Sequence, residues 1–213
     1  IGFTGTPWDG KGQGLGKWFQ VLIPGPSPEW MMDNGFIARP IYMASEFGEV
    51  VNIRGMTTEA EIAQAVEAQK PQLVGDAVKY YLQHAGERTF LCSAINIAAA
   101  EKFAEAWTRE GTRCEVIHSK LPKRLQLALF SDLKFKQIKG LSSVDMMGRG
   151  VDLPSVKYLA CCRPTNSLRW WLQWLGRCIR KDGNSVPIVA DHVGNLWRHG
   201  TVEMPRRLTL ENV

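Results

Sequence analysis

Ser167-Leu-Arg-Trp-Trp-Leu-Gln-Trp-Leu-Gly-Arg-Cys-Ile-Arg180 contains the pattern Gln-x-x-Gly-Arg-x-x-Arg at Gln173, Gly176, Arg177 and Arg180. On one continuous helix, at about 100° per residue, these four residues fall within about 100° of a single face. Leu168, Trp171, Leu172, Leu175 and Ile179 take the opposite arc. Two arginines held on one face, beside a glycine that lets another surface come close, form a rigid fork of donors suited to triphosphate oxygens. An arginine finger acting across an interface is built this way. Taken alone, the same residues also describe an amphipathic helix with a solvated basic edge, so the upstream sequence has to decide.

Upstream, apolar runs alternate with helical periods. Thr58 and Glu61 make a capping box ahead of Ile62 to Val66, and Pro71 opens a helix on which Leu73, Val74, Ala77, Val78, Tyr81 and Leu82 share a face. Thr89 to Ser93 is a short buried strand, and Asn96 caps a helix carrying Ile97, Ala100, Phe103, Ala104 and Trp107 that stops at Gly111. A strand at Cys114–His118, a helix at Pro122–Leu133 and a strand at Phe135–Leu141 follow. Strands at Val156–Cys162 and Val186–Asp191 flank the arginine-bearing helix. The alternation predicts an α/β fold, a parallel sheet with helices on both faces and its ligand at the carboxyl ends of the strands.

The amino-terminal third is less regular. Ile1 to Pro7 has the look of a strand running into a Thr-rich turn, the trailing edge of a preceding domain, and Trp8 to Phe36 is loop with one short helix near Glu29 to Asn34. Ile37 to Ile53 suits strands or an extended linker. The expected division is therefore residues 1–35 as the end of a first domain, 36–70 as connection and 71–213 as a second domain.

Between the strand near residue 141 and Pro154 runs Ser142-Ser-Val-Asp-Met-Met-Gly-Arg-Gly-Val-Asp152. Gly148 and Gly150 permit close backbone approach, and Asp152 can accept a hydrogen bond from a ribose hydroxyl. A plain Gly-rich turn has the same composition, but the preceding strand and the following arginine motif favour a loop at the edge of a nucleotide.

Two nucleotide signatures are missing. Gly10-Lys-Gly-Gln-Gly-Leu-Gly-Lys17 mimics the Walker A pattern Gly-x-x-x-x-Gly-Lys-[Ser/Thr], yet Lys11 stands where its first glycine belongs and Trp18 where its hydroxyl belongs. The same stretch fails Gly-x-Gly-x-x-Gly, which removes a dinucleotide-binding oxidoreductase. With no Asp-Glu-x-Asp or Asp-Glu-x-His motif, no magnesium carboxylate site is expected, and no His/Cys spacing suggests another metal site.

The 213 residues carry a net charge of +5, with 45% hydrophobic and 22% charged residues, the balance of a globular protein leaning toward an anionic partner. Five cysteines without a Cys-x-x-Cys pair suit a reducing compartment. No apolar run approaches the length of a membrane span and no secretory signal is present, so a soluble, cytoplasmic protein without membrane contact is expected.

Taken in order, these motifs resemble the carboxyl-terminal half of a superfamily 2 DNA/RNA helicase, of the bacterial and phage DEAD/DEAH-type group that includes RadD-like proteins. Thr4-Gly5-Thr6-Pro7 resembles motif III, Phe90 to Ser93 motif IV, Ser142 to Asp152 motif V and Gln173 to Arg180 motif VI. Asp191-His-Val-Gly-Asn195 and Arg198-His-Gly200 resemble a run that often follows motif VI in this group. Gly5 stands where Ala is usual, Ser142-Ser143 where Thr-Asn is usual, and Arg149 where Glu is frequent.

The resemblance implies a second RecA-like motor domain of an ATP-dependent helicase or translocase. Gln173, Arg177 and Arg180 would be catalytic, Arg177 and Arg180 reaching the γ-phosphate, while Gly150, Asp152 and Gly176 would border the nucleotide. Ser93, His118, Ser142 and Ser143 would face a DNA or RNA backbone without reading sequence, and Thr4, Gly5 and Thr6 would couple ATP state to strand movement. ATP and Mg2+ would be held mainly by the first RecA-like domain, the chain's expected partner, so this portion alone would be inactive. The alternative is a non-catalytic nucleic-acid-binding or interaction module of the same fold. Of the tryptophans, Trp171 belongs to the core, whereas Trp170 and Trp174 flank the arginine face. His192 and His199 suit structural hydrogen bonding better than metal ligation.

Overall fold

The computed structural model describes residues 6, 7, 9, 13–44, 50–144, 156–181, 183 and 185–211. Six parallel strands form one sheet: β1 (Ile41–Ala44), β2 (Phe90–Ser93), β3 (Cys114–His118), β4 (Gly140–Val144), β5 (Tyr158–Cys161) and β6 (Ile188–Asp191). Their spatial order is β1-β6-β5-β2-β4-β3. The helices are α1 (Pro28–Asp33), α2 (Glu59–Gln69), α3 (Leu73–His84), α4 (Ile97–Arg109), α5 (Lys123–Lys134), α6 (Leu168–Leu175) and α7 (Asn195–His199).

Side chains alternate across a strand, and that alternation separates two cores. Phe90, Cys92, Tyr158, Ala160, Ile188 and Ala190 pack with Leu73, Ala77 and Tyr81 of α3 and Phe103 and Trp107 of α4. Leu91, Leu141, Leu159, Cys161 and Val189 pack on the other face with Phe130 and Leu133 of α5 and Trp171, Trp174 and Leu175 of α6. The four inner strands β2, β4, β5 and β6 are buried on both sides, as a parallel sheet covered by helices requires, while the edge strands β1 and β3 are partly exposed; this is the expected α/β architecture.

Local signals set several boundaries. The Thr58–Glu61 capping box is formed reciprocally at the start of α2, and the Asn96 side chain accepts from the Ala99 N–H at the start of α4. Both satisfy amide groups that a helix start leaves without partners. All five cysteines are buried free thiols.

Four expectations shift. The arginine-bearing helix ends at Leu175 instead of running to Arg180. The strand expected at Phe135–Leu141 is displaced to Gly140–Val144, because α5 closes with Phe135 as its cap and Lys136 at a left-handed φ of 59°. Ile41–Ala44, within the expected 36–70 connection, pairs with β6 as an edge strand, and Val51 and Ile53 enter the core. Leu82, expected on the buried face of α3, is exposed.

The glycine-rich stretch before α1 also has a structural account. A Cβ on Gly14 would lie 2.0 Å from the Leu210 carbonyl oxygen, and Gly16 N–H donates to that same oxygen at 2.9 Å. Close passage of the carboxyl-terminal tail requires glycine at position 14.

Candidate functional site

The sheet gathers one set of candidates at its carboxyl edge. In register, Ser93 of β2 sits beside Ser143 of β4, and His118 of β3 beside Val144. Ser93, Ser142 and Ser143 are buried, and His118 is half-buried with its Nδ1 lacking a hydrogen-bond partner. Strand alternation turns Ser142 toward the face covered by α4 and Ser143 toward that of α5 and α6. Ser142 is fully buried, so its hydroxyl lies inside the core and not on a loop. The Ser93 hydroxyl is occupied too, accepting from the backbone N–H groups of Cys162 at 3.1 Å and Arg163 at 3.3 Å.

The arginine motif runs away from that edge. Ser167 caps α6 by accepting from the Trp170 N–H, and its Trp171 and Trp174 drive into the core. Gly176 N–H closes the last α-helical bond to Leu172 O, and two tighter steps follow, Arg177 N–H to Trp174 O and Cys178 N–H to Leu175 O. Arg177 is half-buried and Arg180 exposed, and Arg180 forms an isolated antiparallel bridge with Ile37. The shared helical face expected for Gln173, Gly176, Arg177 and Arg180 therefore reaches only its first members. Arg180 is placed by long-range pairing, because its chain has left the helix.

Lys157, which precedes β5, donates from Nζ to the Arg180 carbonyl at 2.6 Å. The Arg180 backbone thus lies by the amino end of β5, while Ser93 ends β2 and Ser143 precedes the last residue of β4 on the opposite edge. Four strand residues separate the two edges, about 13 Å. Ser93, Ser142, Ser143 and His118 lie at or near the carboxyl ends of their strands, whereas the Arg180 backbone lies by the amino end of β5.

Gly176 has a φ of −56°, and a Cβ there would meet only carbonyls of its own helical turn, from 3.3 Å outward. Neither backbone conformation nor packing within the chain demands glycine at this position. Thr6 is buried, whereas Thr4, Gly5, Gly150 and Asp152 lie outside the described residues.

Trp170 and Trp174 stack on each other, centroids 5.4 Å apart and planes within 12°, with the Arg163 guanidinium 5.4 Å from the Trp170 ring. Trp174 is buried in the core, so it does not border a cleft.

The run from Asp191 to Gly200 forms a bracket around the loop into α6. Asn195 Oδ1 accepts from the Thr165 N–H at 3.0 Å and its Nδ2 donates to Arg163 O at 2.8 Å. Arg198 donates to Asn195 Oδ1 at 3.1 Å, to Val193 O and to Val51 O. Asp191 accepts from Leu196 N–H at 2.6 Å and Val193 N–H at 3.3 Å; burial raises its pKa, while these bonds and nearby Arg198 act to lower it. His199 Nε2 pairs with Thr165 O at 2.8 Å, as a structural histidine should. His192 departs from that expectation. Its ring meets Tyr80 edge-on, its Nε2 is buried without a hydrogen-bond partner, and burial pulls its pKa down to about 4.

Sequence reasoning missed Lys157 and the bracketing function of Asn195 and Arg198. A lone lysine before a strand carries no motif, whereas the Asp191–Gly200 run was visible without its partners. Among the described residues no group of three or more His, Cys, Asp or Glu is placed to hold a metal ion. Among them no helix is long and apolar enough to cross a membrane.

The family model described as the helicase conserved C-terminal domain matches residues 69–182. The chain belongs to this family, with the RecA-like fold of the second domain of superfamily 2 helicases. It is 28% identical over 200 residues to a 51.5 kDa protein of a Lactococcus phage (isolate 7-9), covering 94% of this chain and 44% of that protein. It is 25% identical over 183 residues to the UvrABC system protein B of Rhodopirellula baltica, covering 82% of this chain and 23% of that protein. The chain thus spans less than half the length of these curated relatives.

Two solved structures share the fold. The C-terminal domain of the DEAD-box protein Dbp5 aligns with a TM-score of 0.55 at 15% identity, over 77% of this chain and 83% of that one. A fragment of a putative HsdR subunit of a type I restriction enzyme from Vibrio vulnificus aligns with a TM-score of 0.61 at 16% identity, over 80% and 35%.

Proposed function

We propose that this domain works as the second motor domain of an ATP-driven DNA or RNA helicase or translocase. Gln173, Arg177 and Arg180 form the catalytic group, the two arginines supplying positive charge to the transferred phosphoryl group, while Gly150, Asp152 and Gly176 border the nucleotide. The observation that carries this reading is Arg180, an exposed residue on a backbone tied down from two sides. A mobile surface arginine needs no such fixing; a charge that must meet a transition state does. His118, half-buried at the opposite edge beside the end of β4, suits contact with a nucleic-acid backbone, with Ser93, Ser142 and Ser143 buried behind it. ATP and Mg2+ are held chiefly by the first RecA-like domain, with Thr4 to Thr6 coupling the two.

Such a finger contributes about 10³ to 10⁵ in rate, roughly 4 to 7 kcal/mol of barrier. In the full-length protein, Arg180→Ala is expected to lower ATP hydrolysis by about 10³- to 10⁵-fold, leaving a residual rate, with nucleic-acid binding retained. Arg180→Lys is expected to fail almost as badly, since an ammonium cannot reproduce the planar fork. The isolated chain is expected to show no ATP turnover above background. Near-normal hydrolysis by Arg180→Lys, or turnover by the isolated chain, overturns the assignment.

A further inference from the structure

We infer that Lys157 is a positioning residue for the arginine finger, an inference that rests on the finger reading of Arg180. The starting point is that α6 ends at Leu175, five residues before Arg180, so helical geometry does not aim Arg180. Two consecutive carbonyls after the helix are instead taken by partners distant in sequence. Ile179 O accepts from Ala38 N–H at 2.7 Å, and Arg180 O accepts from Lys157 Nζ at 2.6 Å.

The two donors come from different elements, the segment entering β1 and the residue entering β5. Together they fix both peptide groups flanking the Arg180 Cα, from which the guanidinium projects. Lys157 is only 7% exposed, so its ammonium is withdrawn from water and held at the underside of this turn. Its charge also acts on the buried Cys178 thiol, two residues before Arg180, opposing the rise that burial imposes there.

A charged donor to a carbonyl is stronger than a neutral one, and its removal leaves a carbonyl with one partner fewer. Lysine suits the task because it delivers a compact point charge on a flexible stem, where the wider guanidinium of arginine needs more room. Misplacement of a catalytic group by about 1 Å can cost about a hundredfold in rate, so the tie acts on turnover through Arg180.

The test is a double-mutant cycle in the full-length protein, read by steady-state and single-turnover ATP hydrolysis. Lys157→Met is expected to lower kcat by about ten- to a hundredfold with KM for ATP and nucleic-acid affinity unchanged. Lys157→Arg, which keeps a cationic donor, is expected to recover part of the loss. Added to Arg180→Ala, Lys157→Met should lower turnover no further, because it acts through a side chain already gone. Should Lys157→Met fail to fold, Lys157→Gln, polar but too short to reach the carbonyl, carries the same test. Normal kcat in Lys157→Met, or a further loss on the Arg180→Ala background, overturns the positioning function alone. Normal turnover in Arg180→Ala removes the finger reading and this inference with it.

Discussion

The Ser93 hydroxyl, at the end of β2, accepts the backbone N–H groups of both Cys162 and Arg163, at 3.1 and 3.3 Å. One side chain thereby clamps the exit from β5, the point from which the chain enters the arginine-bearing helix. Asn195 clamps the same loop from the other side through Thr165 and Arg163. The carboxyl edge of the sheet and the loop into α6 are therefore one mechanical unit, joined by residues 69 to 70 apart in sequence on the Ser93 side.

Ser93→Ala is expected to destabilise the domain by about 1–3 kcal/mol, since two amides in a buried setting lose their acceptor. Urea unfolding of the two proteins measures it. Unchanged stability together with weakened nucleic-acid binding would instead make Ser93 a direct contact.

Much of the architecture was legible because local and tertiary signals agree. The Thr58–Glu61 box, the Asn96 cap and the apolar spacing from Ala100 to Trp107 each specify a helix through their own chemistry. The end of α6 was not legible, since Cys178 and Ile179 prolong the apolar period while the decisive partner of Ile179 is the Ala38 amide, far away in sequence. Ser142 and Ser143 gave a polar signal that mimics a loop, yet the sheet buries both. The candidate site was legible as a set of residue types, but its separation into two edges depends on the direction in which α6 returns across the sheet. That direction is a property of packing, not of the motif.

Acid should weaken the fold through His192. Burial holds its pKa near 4 in the folded state, against about 6.5 when unfolded. A depressed histidine leaves the native state with fewer bound protons than the unfolded chain across that window, so stability is full above pH 6.5 and falls toward pH 4. The contribution lost between pH 7 and pH 5 is about 2 kcal/mol. Asp191, whose pKa burial raises, acts in the opposite sense at the acid end, because its folded carboxyl takes up a proton more readily than the unfolded one. His192→Gln is expected to flatten the difference between unfolding free energies measured at pH 7 and pH 5. Equal losses in both proteins would assign the acid sensitivity elsewhere.

The domain on its own is expected to bind nucleic acid weakly, without sequence preference and with strong salt dependence. Its net charge of +5 is modest, and the serines nearest the carboxyl edge are buried, leaving few groups to grip a strand. Contacts to phosphates carry no sequence information, and each releases condensed counterions, so affinity falls as salt rises. Three single-strand contacts, at a slope of about −0.7 each, predict a fall of roughly twentyfold between 50 and 200 mM salt. Titration of labelled single strands of two unrelated sequences at both salt concentrations measures slope and selectivity together. Tight, sequence-selective binding indifferent to salt would replace the motor reading with that of a recognition module of the same fold.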